Sequence, residues 1–484
     1  MFVWIFRWPR YAAIAAGVAL ALLLIGVWGT WRIVAATPKL TFDGVARMNA
    51  LARAQSPGAN GWPLLRESMI NDLMVATPRK PGGPAWNQLG AFLTSNQLRR
   101  GAWADMDRSA DLQSLSAIES VLDALDQAAL CPVFFKPYVH DGDAFTGERD
   151  ATKRIMAYSV LLPELQAIRR IALLNAAAMR AAGATGDWAG LEQRLHAGLW
   201  LGIGLTRQST PIEIQNGLAN AEVALEELAS IINDEAIPPV VVNRLLQIID
   251  DLQWSPEETK LRLITCMDLM VNDIIQWTFT DFGHGNGFFT WDDDFVAMTA
   301  RTAMRWPTSL RGPSHKLFGL FVRDRHETVR ELEVVKSEVA ALAHESQGEN
   351  GYWVYDRMQE WRRSLKSRSF VIEAGLPLPL ASFRSVDHFV SRLHGVRAML
   401  LLELAYDESG MWPASLDEVM DEHDLTDPIS GRPYWYWRTT EEDSGQPYAL
   451  EIPWRNAPMD PRARVNPPRG PLMTVMMGNQ SSGK

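Results

Sequence analysis

Residues 210–232 read TPIEIQNGLANAEVALEELASII. Thr210 and Glu213 have the spacing of a capping box, and Pro211 falls at the first helical position, so a helix starts here. From that start Ile214, Leu218, Ala221, Leu225, Leu228 and Ile232 step by three and four residues and share one face. A single helix cannot bury its own apolar stripe, so this one must pack against neighbours.

The flanking sequence supplies them. Leu161, Leu165, Ile168 and Ala172 form one stripe, ended by Gly183 and Gly186. Asp187 can cap the next helix, whose stripe is Trp188, Leu191, Leu195 and Leu199. Pro238 and Pro239 open another, with Val241, Leu245, Ile248 and Leu252 inward. Ser255, Pro256, Glu257 and Glu258 repeat the capping logic before Leu261. Residues 159–277 are thus expected to form five successive antiparallel helices with short connections. The fold class is mainly α. The Gly186-Asp187-Trp188-Ala189 turn resembles the turn between the paired helices of tetratricopeptide-like repeats. An irregular helical bundle accounts for the same residues, so both forms of helical array stay open.

Further helices are expected on either side. Leu112, Leu115, Ile118, Leu122 and Leu125 make one face, closed by Cys131-Pro132. Val329, Leu332, Val335, Val339 and Leu342 make another. Pro377 and Pro379 are read as a break. A last long helix then covers residues 386–407, with Phe389, Leu393, Val396, Leu400 and Leu404 inward and Gly410 as its stop.

Residues 11–31 contain no Asp, Glu, Lys or Arg. A helix of this length rises about 30 Å, the thickness of a bilayer's hydrocarbon core. Trp4, Trp8 and Tyr11 lie at one end and Trp28 and Trp31 at the other, as aromatic belts do. Arg7 and Arg10 favour a cytoplasmic N-terminus. The expectation is one uncleaved transmembrane anchor in the inner membrane, with the large domain periplasmic or otherwise extracytoplasmic. A cleaved signal peptide, with Val34 and Ala36 before the cut, is the alternative. The layout expected is an anchor at 1–36, a helical domain at 37–380, a long helix with a small β module at 381–453, and a Pro-rich tail at 454–484.

Composition narrows the function. The 484-residue chain has 57 acidic and 47 basic residues, a net charge of −10, which argues against nucleic acid as a main partner. With only two cysteines, the fold does not rest on disulfides. Cys131 and Cys266 are read as buried free thiols, with one bridge as the alternative. The nineteen tryptophans are read as core rather than as exposed anchors.

After the last helix the chain runs Gly410-Met411-Trp412-Pro413, then a short helix, then Asp427-Pro428-Ile429-Ser430-Gly431-Arg432-Pro433-Tyr434. Pro413 and Pro428 fix turns, Gly431 can take positive φ, and the aromatic run at 434–437 favours strand, with 448–452 as its partner. This order resembles the C-terminal half of type II secretion pseudopilins. The resemblance implies a small antiparallel module whose turns are set by Trp412, Pro413, Asp427, Pro428, Gly431 and Tyr434. The whole layout is similar to large uncharacterised bacterial envelope proteins of the kind found in planctomycetes, which implies no known activity.

No phosphate-binding loop, dinucleotide fingerprint, zinc-protease motif, nucleophile elbow or paired-cysteine motif occurs. Asp281, His284, Asp292, Asp293 and Asp294 could bind a metal, but helix capping and a solvated loop explain them more simply. His388 and His394 are read as ordinary surface or half-buried histidines, and the cluster Arg362, Arg363, Lys366 and Arg368 as a solvated helix face. The expectation is therefore no catalytic, cofactor-binding or metal-binding residue and no cofactor. The favoured function is a membrane-anchored envelope protein whose helical domain binds a protein partner. An accessory part of a secretion or pilus-like machine and a periplasmic hydrolase-like enzyme with dispersed site residues are the alternatives.

Overall fold

A computed structural model of the chain describes residues 8–35, 40–53, 58–69, 119–138, 164–280, 324–345, 377–421, 424–429, 431–438 and 448–451, with Met476–Met477 and a few single residues besides. Among them are eleven α-helices and five short strands. The helices are α1 (Trp8–Ala35), α2 (Gly44–Arg53), α3 (Trp62–Ser68), α4 (Glu119–Ala129), α5 (Glu164–Thr185), α6 (Trp188–Thr206), α7 (Pro211–Asp234), α8 (Pro239–Asp250), α9 (Pro256–Thr278), α10 (Arg325–Glu345) and α11 (Pro377–Ser409).

The five helices read from 159–277 are α5 to α9. Their caps act as the residue types require: Asp187, Thr210 and Ser255 accept from the backbone N–H groups of Gly190, Glu213 and Glu258 at 3.0, 3.1 and 3.2 Å. Gly186 closes α5 with φ 71°. The helices gather around α7, which packs on α5, α6, α9 and α11, while α8 packs chiefly on α6 and α11. The α6–α7 contact is made by backbone. A Cβ on Gly202 would come within 2.7 Å of the Gly217 carbonyl oxygen, and one on Gly217 within 2.5 Å of the Gly202 carbonyl oxygen.

One expectation about α11 fails. It begins at Pro377, nine residues before the predicted start, and contains both prolines read as a break. Neither disturbs it, because the first-turn N–H groups of a helix have no intrahelical acceptor and their loss is harmless. The helix ends as expected, with Gly410 at φ 69°. Of the helix read from Leu112, the described part is Glu119–Ala129.

One core runs through the body. It joins α6 to α11 and continues into Leu416, Met420, Tyr434, Tyr448 and Leu450 of the C-terminal segment. A second core lies among α3 to α6, where Phe134 meets Trp62 and Trp200 edge-on at 5.7 and 5.4 Å. Cys266 is fully buried and free, whereas Cys131 is only half-buried, because the chain turns at Pro132 near the protein surface.

Extended segments thread this helical body, and side-chain amides supply the hydrogen bonds a neighbouring strand would give. Asn60 accepts from the Phe135 N–H at 2.8 Å and donates to its carbonyl at 2.7 Å. Asn49 does the same to Tyr138, at 2.8 and 2.9 Å. Gln276 on α9 does it to Phe42, at 3.1 and 3.0 Å, and also accepts from the Thr41 N–H at 2.9 Å. A carboxamide carries one donor group and one acceptor like a peptide, so each meets the obligation of a buried backbone.

The strands are β1 (Thr426–Asp427), β2 (Arg432–Pro433), β3 (Trp435–Arg438), β4 (Tyr448–Glu451) and β5 (Met476–Met477). β1 pairs antiparallel with β2, and β3 pairs antiparallel with β4, with Tyr436 opposite Leu450. β5 adds to the free edge of β4, a pairing with no counterpart in the sequence reading.

None of the described residues of α1 belongs to these cores. Its window Ala12–Gly29 has a mean hydropathy of 2.3 and is long and apolar enough to cross a membrane. None of that window is buried within the protein. Only residues 36–39 separate it from Leu40 and the Gln276 contact.

Candidate functional site

The six turn residues named from sequence lie along the join between the C-terminal segment and the body, some near Ser391 and others near Tyr406 of α11. Gly431 has φ 64°, and its N–H donates to the Asp427 carbonyl at 2.8 Å. Asp427 is fully buried and accepts from the Ser391 hydroxyl of α11. Pro428 leads from Asp427 into that turn. Tyr434 donates its N–H to the Leu425 carbonyl at 2.9 Å and its hydroxyl to the Ser391 carbonyl at 3.4 Å. The buried Pro413 offers its carbonyl to the Tyr436 hydroxyl at 2.9 Å. Trp412 stacks on Tyr406 of α11, with centroids 4.4 Å apart and planes at 14°, and leans on Tyr448 at 4.7 Å. These residues therefore position a module. Trp412 has a second role.

It lines a cleft of about 300 Å³ between the C-terminal end of α7, the start of α8 and the C-terminal end of α11. Asn233, Asp234, Glu235, Glu403, Tyr406 and Asp407 supply most of its polar and aromatic lining. No lining residue is basic. Three buried polar atoms here make no hydrogen bond among the described residues: Glu403 Oε1, Asn233 Oδ1 and Trp412 Nε1. The Tyr448 hydroxyl beside them is also unpaired, on a side chain with no exposure. Burial pushes Glu403 up to about 7. Unmatched buried polar groups in a native protein are uncommon and call for an explanation.

Another charged cluster is closed. Lys136, in the extended segment after α4, reaches Glu164 of α5 at 2.5 Å and Glu213 of α7 at 3.0 Å. Tyr138 donates its hydroxyl to Glu213 at 2.6 Å, and Thr210 does so at 2.7 Å. Burial opposes the Lys136 charge, but the two carboxylates outweigh it and raise its pKa. All five side chains are buried, so the cluster joins three segments rather than meeting solvent. On α11, burial with Arg384 and Arg392 lowers His388 to about 4, so it is neutral and accepts from Arg384 at 3.1 Å. His394 lies 3.8 Å from Asp424.

Among the described residues, no group of three or more His, Cys, Asp or Glu is placed to hold a metal ion. Asp281, His284, Asp292, Asp293 and Asp294 lie outside the described residues, as do Arg362, Arg363, Lys366 and Arg368. Sequence reasoning missed Asn233 and Glu403. Glu403 sits beside Leu402 and Leu404 in an apolar helix, and that position was the one available signal. No family model, curated protein or solved structure matches this chain.

Proposed function

We propose that this chain is a single-span inner-membrane protein whose helical body lies on the extracytoplasmic side and binds a protein partner. The observation that carries the reading is α1. Nine large apolar side chains, including Leu22, Ile25 and Trp28, are 54–65% exposed on this one helix. A contiguous apolar surface of this kind needs a covering, and the length and composition of α1 suit a bilayer. Exposed large apolar residues elsewhere, such as Leu64 and Leu261, are scattered and ask for none. The body's stacked helices and its open polar cleft suit contact with another protein. The C-terminal module keeps a secretion-machine accessory role as a narrower form of the same reading.

Alkaline carbonate washing of membranes tests the anchor. The full-length chain should stay in the pellet, and a soluble form beginning near Thr37 would replace the anchor with a signal peptide. Protease added to spheroplasts should degrade the body. Crosslinking in intact cells should then recover a specific protein partner with the full chain.

A further inference from the structure

We propose that the exposed face of α2, with Arg47 and Arg53, rests on the anionic phospholipid headgroups of the bilayer that α1 spans. This deepens the membrane-anchor reading and rests on it. α2 buries Gly44, Val45, Met48 and Ala52 against the body and leaves Ala46, Arg47, Ala50 and Arg53 exposed along its other face. The helix contains no acid. Each guanidinium lies over an aromatic ring: Arg47 over Phe42 with 3.9 Å to the centroid, and Arg53 over Phe135 with 5.0 Å. A ring attracts the cation without using its N–H donors, which stay available to a phosphate that a guanidinium can grip at two oxygens. Position selects the occupant. α1 continues through residues 30–35 beyond its apolar window Ala12–Gly29, a rise of about 9 Å, comparable to a headgroup layer. Residues 36–39 then lead to Leu40, and Gln276 of α9 fixes Thr41 and Phe42 directly before α2 begins. Residues 30–53 hold Arg32, Lys39, Arg47 and Arg53 against one acid, Asp43, in a chain with 57 acidic and 47 basic residues. An anionic surface repels the chain as a whole and attracts this segment, so it favours the orientation that turns α2 to the lipid.

The test places the full chain in lipid nanodiscs with a fluorophore attached at Ala50→Cys. Cys131→Ser leaves the buried Cys266 as the only other thiol. The discs carry a fixed fraction of lipid with a nitroxide quencher on its headgroup. Quenching in discs with about 30% phosphatidylglycerol should exceed that in phosphatidylcholine discs by about twofold or more. Salt at about 0.5 M should remove the difference, and so should Arg47→Gln combined with Arg53→Gln. Equal quenching in the two kinds of disc, or a difference that survives loss of both arginines, overturns the proposal. The lipid comparison uses the native arginines, so it decides even where the double variant does not fold. Photocrosslinking from position 50 in cells should recover phospholipid. Recovery of a protein in its place gives this face to an acidic partner and overturns the proposal. A chain that inserts into both kinds of disc without a difference loses this contact and keeps its anchor. One that enters neither loses the anchor, and this contact with it.

Discussion

Lys136 and Glu213 meet at 3.0 Å in the interior, where the segment after α4 crosses the first turn of α7. Glu213 closes the capping box at the third helical position, but its carboxylate does not serve the helix start alone. It accepts from Thr210 and Tyr138 and shares Lys136 with Glu164. One ammonium thus faces two buried carboxylates. Glu213→Gln leaves one charge of each sign and should be tolerated. Lys136→Met strands both carboxylates and should destabilise the body by about 3–5 kcal/mol. Urea midpoints of the two variants check this, and equal losses would count against the arrangement.

Gln276 and Phe42 make the second testable contact. Gln276→Leu keeps the bulk and removes the amide, leaving the Phe42 N–H and carbonyl unmatched. The local loss should be about 1–3 kcal/mol. Hydrogen exchange at Thr41 and Phe42 should then accelerate by roughly tenfold or more, with the α7 amides unaffected. Unchanged exchange at those two residues would show that the amide is dispensable.

Glu403 predicts a pH dependence. Its folded value, about 7, lies above its ordinary value of 4.5. A raised carboxyl pKa means that the folded state holds the proton more tightly. Its stabilising effect is complete below pH 4.5 and fades as pH rises towards 7, leaving the buried carboxylate a liability above that. Glu403→Gln removes the liability. The variant should be more stable than wild type at pH 8, and the gap should close near pH 4.5. Midpoints against pH for both proteins decide it; parallel curves would remove the assignment.

Gly431 predicts a backbone effect. At φ 64° a β-branched side chain is strained, so Gly431→Val should cost about 1–2 kcal/mol or more. Gly431→Asn should cost less, because Asn tolerates this region. Thermal melts that rank valine and asparagine equally would rule out conformational strain as the cause.

What the sequence made legible was local. The stripes of α5 to α9 and the caps at Asp187, Thr210 and Ser255 need only spacing and residue type. The turn at Gly431 could be read for the same reason, since proline and glycine fix dihedrals wherever they stand. The α11 start was misjudged because a proline looks like a break unless it is known to fall in a first turn. The cleft was hidden for a different reason. Asn233 and Glu403 lie on helices far apart in the chain, and nothing local marks either as unpaired. Asn49, Asn60 and Gln276 read as plain polar residues, since their work depends on which backbone arrives beside them.

The short stretch between α1 and the Gln276 contact limits reach. The five steps from Ala35 to Leu40 extend at most about 18 Å. If α1 spans a bilayer, the body works on a leash shorter than its own helices and searches a thin layer over the lipid. A partner embedded in the same sheet would meet it by lateral diffusion, at a local concentration that a freely diffusing protein does not reach. Weak contacts would then suffice for capture, and lengthening this link with flexible residues should dilute the encounter without touching the cleft.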